Sequence, residues 1–225
     1  MESSRIHVYF MPGLAANSSI FKNISLPPEQ FEQHLLDWFV PDKGMTLNQY
    51  ARQLCEKVVH EHPVLVGVSF GGIIVQEMAR CIPARKVIII SSVKKKDELP
   101  RRLIFAKYTK IHKLLPTGLV NNLELLSKYA FGETVTKRLE LYEKYLSIKD
   151  KYYIDWSIDQ IVHWQQTEYP PNLVHIHGEK DAVFPIQHIK DCIVVENGTH
   201  TMIIHRYKWF NERLPTIILE DGSSI

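Results

Sequence analysis

The sequence predicts an α/β fold: a mostly parallel, doubly wound sheet of about six strands, with a helical cap inserted between two of them. Three observations carry this. Short runs of branched residues are continuously apolar rather than alternating, as in strands covered on both faces. Helix-length segments lie between several of these runs, and such alternation implies right-handed βαβ units. One long stretch, residues 94–168, breaks the alternation with charged, aromatic-bearing, helix-like sequence. At 225 residues, 45% hydrophobic and 23% charged, the chain can bury one sizeable core.

The first strand centres on Val8-Tyr9-Phe10, and a second is expected over Leu35 to Val40. A helix follows over Leu47 to His60, with Leu47, Tyr50, Ala51, Leu54 and Val58 at helical spacing and Thr46 as its N-cap. Strand Val64 to Val68 leads into a helix over Gly72 to Cys81. That helix is apolar nearly all round, hence buried, and stops before Pro83. Further strands are expected at Val87 to Ser91, Leu173 to His177 and Cys192 to Val195. Residues 1–93 and 169–220 therefore make the core, 94–168 the cap and 221–225 a frayed tail. Lys94-Lys95-Lys96 reads as the solvated start of a helix, and Asp155 and Asp159 as solvated cap residues.

Several function classes are excluded. A formal charge of +2 is too mild for nucleic-acid binding. Apolar runs such as Val87-Ile88-Ile89-Ile90 fall far short of the roughly 20 residues of a membrane span. Met1-Glu2-Ser3-Ser4-Arg5 shows no secretory pattern, and the three scattered cysteines, Cys55, Cys81 and Cys192, fit a reduced, cytoplasmic setting. His60-Glu61-His62 is not His-Glu-x-x-His, His175-Ile176-His177 has no third ligand at suggestive spacing, and Gly67 to Gly72 lacks the Lys-Ser/Thr of a phosphate loop. No cofactor, metal, nucleic acid or membrane is expected as a partner, only a small molecule.

The chemistry concentrates where Val64-Leu65-Val66 runs into Gly67-Val68-Ser69-Phe70-Gly71-Gly72. This is Gly-x-Ser-x-Gly between a strand and a helix. A serine on so sharp a turn projects its hydroxyl clear of the backbone, and the helix and strand approach so closely that Gly67 and Gly71 must be small. A serine hydroxyl needs a histidine to take its proton and a carboxylate to orient that histidine. Both occur downstream, each just past a predicted strand: His177-Gly178-Glu179-Lys180-Asp181, then Glu196-Asn197-Gly198-Thr199-His200. The candidate catalytic residues are Ser69, Asp181 and His200. Asp155 and Asp159 also carry carboxylates but sit in the cap's amphipathic pattern, so Asp181 is preferred.

These segments, with the order Ser69, Asp181, His200, resemble the α/β-hydrolase fold superfamily, in particular a small serine esterase-like member lacking the first strands of the full fold. The resemblance implies an oxyanion hole made by the Leu14 and Phe70 amides, with Phe10-Met11-Pro12-Gly13-Leu14 as the matching loop. Proline stands there where the family often has histidine. A cap over the strand ends implies an apolar, partly aromatic pocket suited to small or medium acyl or aryl esters, with Trp156, Trp164 and Phe184 as candidate substrate-binding residues. Thioester hydrolysis, acyl transfer and C–C cleavage use the same machinery. A cofactor-free lyase and a non-catalytic ligand-binding member of the fold also remain open.

Overall fold

In the computed structural model, described over residues 5–100 and 150–220, six strands form one parallel sheet. They are β1 (Ile6–Met11), β2 (Phe31–Leu35), β3 (Val64–Val68), β4 (Lys86–Ile90), β5 (Leu173–Gly178) and β6 (Ile193–Val195). Their order is β2-β1-β3-β4-β5-β6. Order reverses between β1 and β3, the kind of switch point at whose carboxyl ends open α/β sheets gather ligands.

All five residues of β3 and all five of β4 are buried, as strands between two helical layers require. One layer holds α1 (Leu47–Cys55), α2 (Phe70–Met78) and α3 (Lys151–His163), packed through Leu54, Ile73, Ile74, Tyr153 and Trp156 onto Tyr9, Leu65, Val87 and Ile89. The other holds α4 (Met202–His205) and α5 (Tyr207–Leu219), whose Phe210, Leu214 and Ile217 meet Val8, Phe10, Val66 and Ile88. Alternate residues of each strand thus feed opposite cores. Helix α1 starts at a complete capping box: the Gln49 N–H donates to Thr46 Oγ1 at 3.3 Å, and the Thr46 N–H to Gln49 Oε1 at 2.9 Å.

The structure changes three expectations. Strand β2 covers Phe31–Leu35, not Leu35 to Val40. It is the sheet's edge, where Glu32, Gln33 and His34 are only half-buried, so it lacks the apolar run that marks a central strand. Leu36 and Trp38, buried in the loop beyond, supply the apolar signal instead. Lys94 is buried rather than solvated: its ammonium donates to the carbonyls of Lys190 at 2.6 Å and Asp191 at 3.1 Å. Helix α1 ends at Cys55, short of His60. The expected cap lies partly outside the described residues, as do Met1 to Ser4 and the expected tail. Its described portion includes α3, which is part of the α1–α2 layer, with Asp155 and Asp159 paired to Lys151 and His163 on the outer face. Among the described residues no helix is long and apolar enough to cross a membrane.

Candidate active site

Ser69 joins β3 to α2 with φ 54° and ψ −120°, a left-handed conformation that costs a non-glycine residue energy. The turn is held from several sides. The Ser69 N–H donates to the Ile90 carbonyl at 2.9 Å, and Ser92 Oγ donates to the Ser69 carbonyl at 2.7 Å. A Cβ on Gly67 would lie 2.2 Å from the Gly71 carbonyl oxygen, and one on Gly71 would lie 2.3 Å from the Pro12 oxygen. Strand, helix and the loop after β1 therefore close around Ser69 at distances no side chain allows.

The loops after β5 and β6 bring the partners. The Lys180 N–H donates to the Gly198 carbonyl at 2.7 Å and clips the two loops together. Asp181 Oδ1 accepts the N–H groups of Val183 at 2.8 Å and Phe184 at 2.9 Å, fixing the carboxylate. His200 Nδ1 lies 2.9 Å from Asp181 Oδ2, and its Nε2 lies 3.0 Å from Ser69 Oγ. A carboxylate only accepts, so Nδ1 carries the imidazole proton and Nε2 presents a lone pair to the serine hydroxyl. Burial by itself would raise the Asp181 pKa, but the His200 interaction and the Phe184 N–H outweigh it and hold the carboxyl below its ordinary value.

The Phe70 amide opens α2, among the N–H groups a helix leaves without internal partners. Across from it, the loop after β1 passes so near that a Cβ on Gly13 would sit 3.3 Å from Ser69 Cβ and 3.9 Å from Ser69 Oγ; Leu14 follows directly. Trp38 holds that loop. Its indole N–H donates to the Gly13 carbonyl at 2.9 Å, and its ring stacks on Phe70 with centroids 5.2 Å apart and planes 6° apart. One side chain thus touches both the loop after β1 and the first residue of α2, on either side of Ser69.

No protein-family model and no curated protein sequence matches the chain, but solved structures do. A hydrolase from Pseudomonas aeruginosa superposes with a TM-score of 0.71 at 14% identity, over 96% of this chain and 91% of its own. The enol-lactonase from Burkholderia xenovorans gives 0.70 at 14%, over 97% and 93%. A bromoperoxidase from Bacillus anthracis gives 0.69 at 17%, over 97% and 94%. The chain has the α/β-hydrolase fold.

Within this α/β-hydrolase fold the three candidate substrate-binding aromatics lie in different places. Phe184 packs edge-on against His200, with centroids 5.6 Å apart. Trp156 meets Phe70 edge-on at 6.2 Å, while its indole donates to the Met45 carbonyl at 2.7 Å. Trp164 donates to Glu77 Oε1 at 2.9 Å. Glu77 is seven residues along α2 from Phe70, about 10 Å of helix, so Trp164 is anchored at the far end of α2 and packs in the core.

Sequence reasoning missed Trp38 and the part played by Ser92. It also set His177 aside once the His175-Ile176-His177 run lacked a third ligand. His177 Nε2 lies 2.8 Å from the Phe184 carbonyl and 3.7 Å from Asp181 Oδ2, with His175 Nε2 3.1 Å from its Nδ1. A carbonyl only accepts, so His177 Nε2–H donates to it, and His177 Nδ1 accepts from His175. Burial lowers the pKa of both histidines, so this buried strut behind Asp181 is neutral.

Proposed function

We propose that the chain is a serine hydrolase, and specifically one that cleaves small or medium acyl or aryl carboxylic esters through an acyl-enzyme on Ser69. The observation that carries this reading is the unbroken chain of hydrogen-bonding groups from Asp181 through His200 to Ser69. The Ser69 hydroxyl passes its proton to His200 Nε2 as its oxygen bonds to the ester carbonyl carbon. The carbonyl oxygen becomes an oxyanion within reach of the Phe70 and Leu14 N–H groups. Asp181 stabilises the imidazolium, which then protonates the departing alkoxide as the tetrahedral intermediate collapses. Water, giving its proton to His200, attacks the acyl-enzyme and releases the acid and Ser69. A serine rather than an aspartate at the elbow argues against dehalogenase and epoxide-hydrolase chemistry, which need a carboxylate nucleophile. Aromatic groups near the site, Phe184 on His200 and Trp156 on Phe70, favour an apolar acyl or aryl group over a charged one.

The deciding experiment is intact mass after a fluorophosphonate probe, on the native chain and on Ser69→Ala. A single phosphonyl adduct, formed with loss of fluoride and absent from Ser69→Ala, is the expected result. A p-nitrophenyl ester series by acyl length, with a thioester and an enol-lactone alongside, then separates the chemistries that share this machinery. A folded native chain that forms no adduct rules out the covalent reading and leaves a lyase or a ligand-holding protein.

A further inference from the structure

At the opposite end of the sheet, three histidines remote in sequence converge. His7 lies on β1, His34 on β2 and His60 in the segment between α1 and β3. One ring nitrogen from each lies within 4.8 Å of the other two, and His7 Nδ1 is 3.0 Å from His34 Nε2. The register explains the meeting. His7 pairs with Glu32 and Tyr9 with His34, so all four project from the same face of adjacent strands. The five residues of β3 separate His60 from Ser69, about 16 Å of strand.

We propose that His7, His34 and His60 form a binding site for a divalent transition-metal ion of the imidazole-preferring kind, zinc being the representative. Bonds of 2.0–2.1 Å in a tetrahedron put ligand nitrogens about 3.3 Å apart, close to the separation of His7 and His34. The surroundings are also those of a ligand set. Tyr9 Oη is 2.6 Å from His60 Nδ1 and accepts the Val59 N–H at 3.3 Å, so the ring has an outer partner that orients it. The Glu32 carboxylate places one oxygen 3.9 Å from His7 Nδ1 and the other 3.9 Å from His34 Nε2, beside a fourth ligand position that it or a water can fill. Arg5 also holds Glu32, at 2.7 Å, which favours the carboxylate as a flanking charge over a tight ligand. His60 lines a surface cleft of about 210 Å³ with Pro63, Ile82 and Pro83, which gives an ion a way in. The His7 and His60 rings stack at 3.4 Å with planes 7° apart. Since each lone pair lies in its ring plane, the two rings must fan apart to share one ion, and His60, on a loop, is the one free of strand constraints. Bound there, the ion ties the edge strand β2 and the α1–β3 segment to β1.

The test uses the untagged full-length chain after chelator dialysis, titrated with zinc chloride by calorimetry and with cobalt(II) by visible absorption. One ion per chain is expected, with the ligand-field bands of an imidazole-bound cobalt. Melting temperature should rise by roughly 5–10 °C at zinc a hundredfold above Kd. His34→Ala and His60→Gln should each weaken binding by more than the roughly 10–100-fold that loss of an outer partner costs and erase most of the thermal shift. His163→Ala, on the outer face of α3 and remote from the cluster, should change neither. If His34→Ala fails to fold, His60→Gln, in a loop, carries the comparison. No saturable ion, or an ion held equally well by the histidine variants, overturns the proposal and leaves a hydrogen-bonded imidazole stack.

Discussion

At Ser69 a strained backbone and a hydrogen-bonded imidazole meet, and single substitutions should separate their contributions. Ser69→Ala should reduce ester turnover by roughly 10⁴–10⁶-fold and abolish fluorophosphonate labelling. Asp181→Asn keeps the side-chain shape but lets the amide favour the wrong histidine tautomer and removes the counter-charge to the imidazolium. Its kcat should fall by about 10⁴, measured on the best ester substrate; a loss under tenfold would remove Asp181 from the mechanism. Trp38→Phe is subtler, since it preserves the stack on Phe70 and deletes only the bond to the Gly13 carbonyl. The Gly13 carbonyl keeps the Ala16 N–H at 3.1 Å, so the loss is that of one hydrogen bond, about 0.5–1.5 kcal/mol, and the loop carrying Leu14 loses its brace. A fall in kcat of about tenfold, with KM changed less, is expected from steady-state kinetics. Equal loss of stability with kcat intact would make Trp38 a packing residue alone.

At the level of elements, the turn from β3 to α2 works because two glycines let backbone meet backbone. Gly67→Ala places a methyl group 2.2 Å from the Gly71 oxygen, which only displacement of α2 can relieve. The variant should lose labelling at Ser69 even where circular dichroism shows retained secondary structure; normal labelling in a folded Gly67→Ala would mean the elbow yields without consequence. This element was legible in the sequence because its requirements are local: strand, small residues, serine, helix. The central strands were legible for a similar reason, burial on both faces writing itself as the apolar runs Val64 to Val68 and Val87 to Ile90. Strand β2 was not, because an edge strand bearing Glu32 and His34 carries no apolar run. Nor could spacing reveal that Trp38 reaches Gly13, or that Trp164 reaches Glu77 across 87 positions. The Asp181–His200 pair was legible by order alone; its contact depends on two loops clipped by the Lys180 bond to Gly198.

Across the whole molecule, the interior holds ionisable groups whose linkage to folding falls in separable pH windows. His175 and His177 are buried, and burial lowers both pKa values below 6.5. As pH falls through about 6.5, the unfolded chain takes up protons that the folded chain refuses, so stability drops by roughly 1.4 kcal/mol per pH unit for each histidine held neutral. Asp181 behaves differently: its folded pKa is depressed, so its contribution is present above about 3.9, the unfolded value, and is lost only as pH falls towards the folded pKa. Glu98 opposes both. Burial raises its pKa, so the folded chain holds a proton there after the unfolded chain has released its own. Glu98 and the histidines therefore bend the profile in opposite senses, and a variant isolates the histidines. His175→Asn removes one titrating ring. Urea unfolding of this variant should show lower stability at pH 7, because the bond to His177 is altered, yet a shallower decline towards pH 5 than the native chain by about one histidine's share. A decline of unchanged steepness would mean that His175 is protonated in the fold, and that the strut behind Asp181 carries charge next to the triad rather than the neutral chain of donors its partners imply.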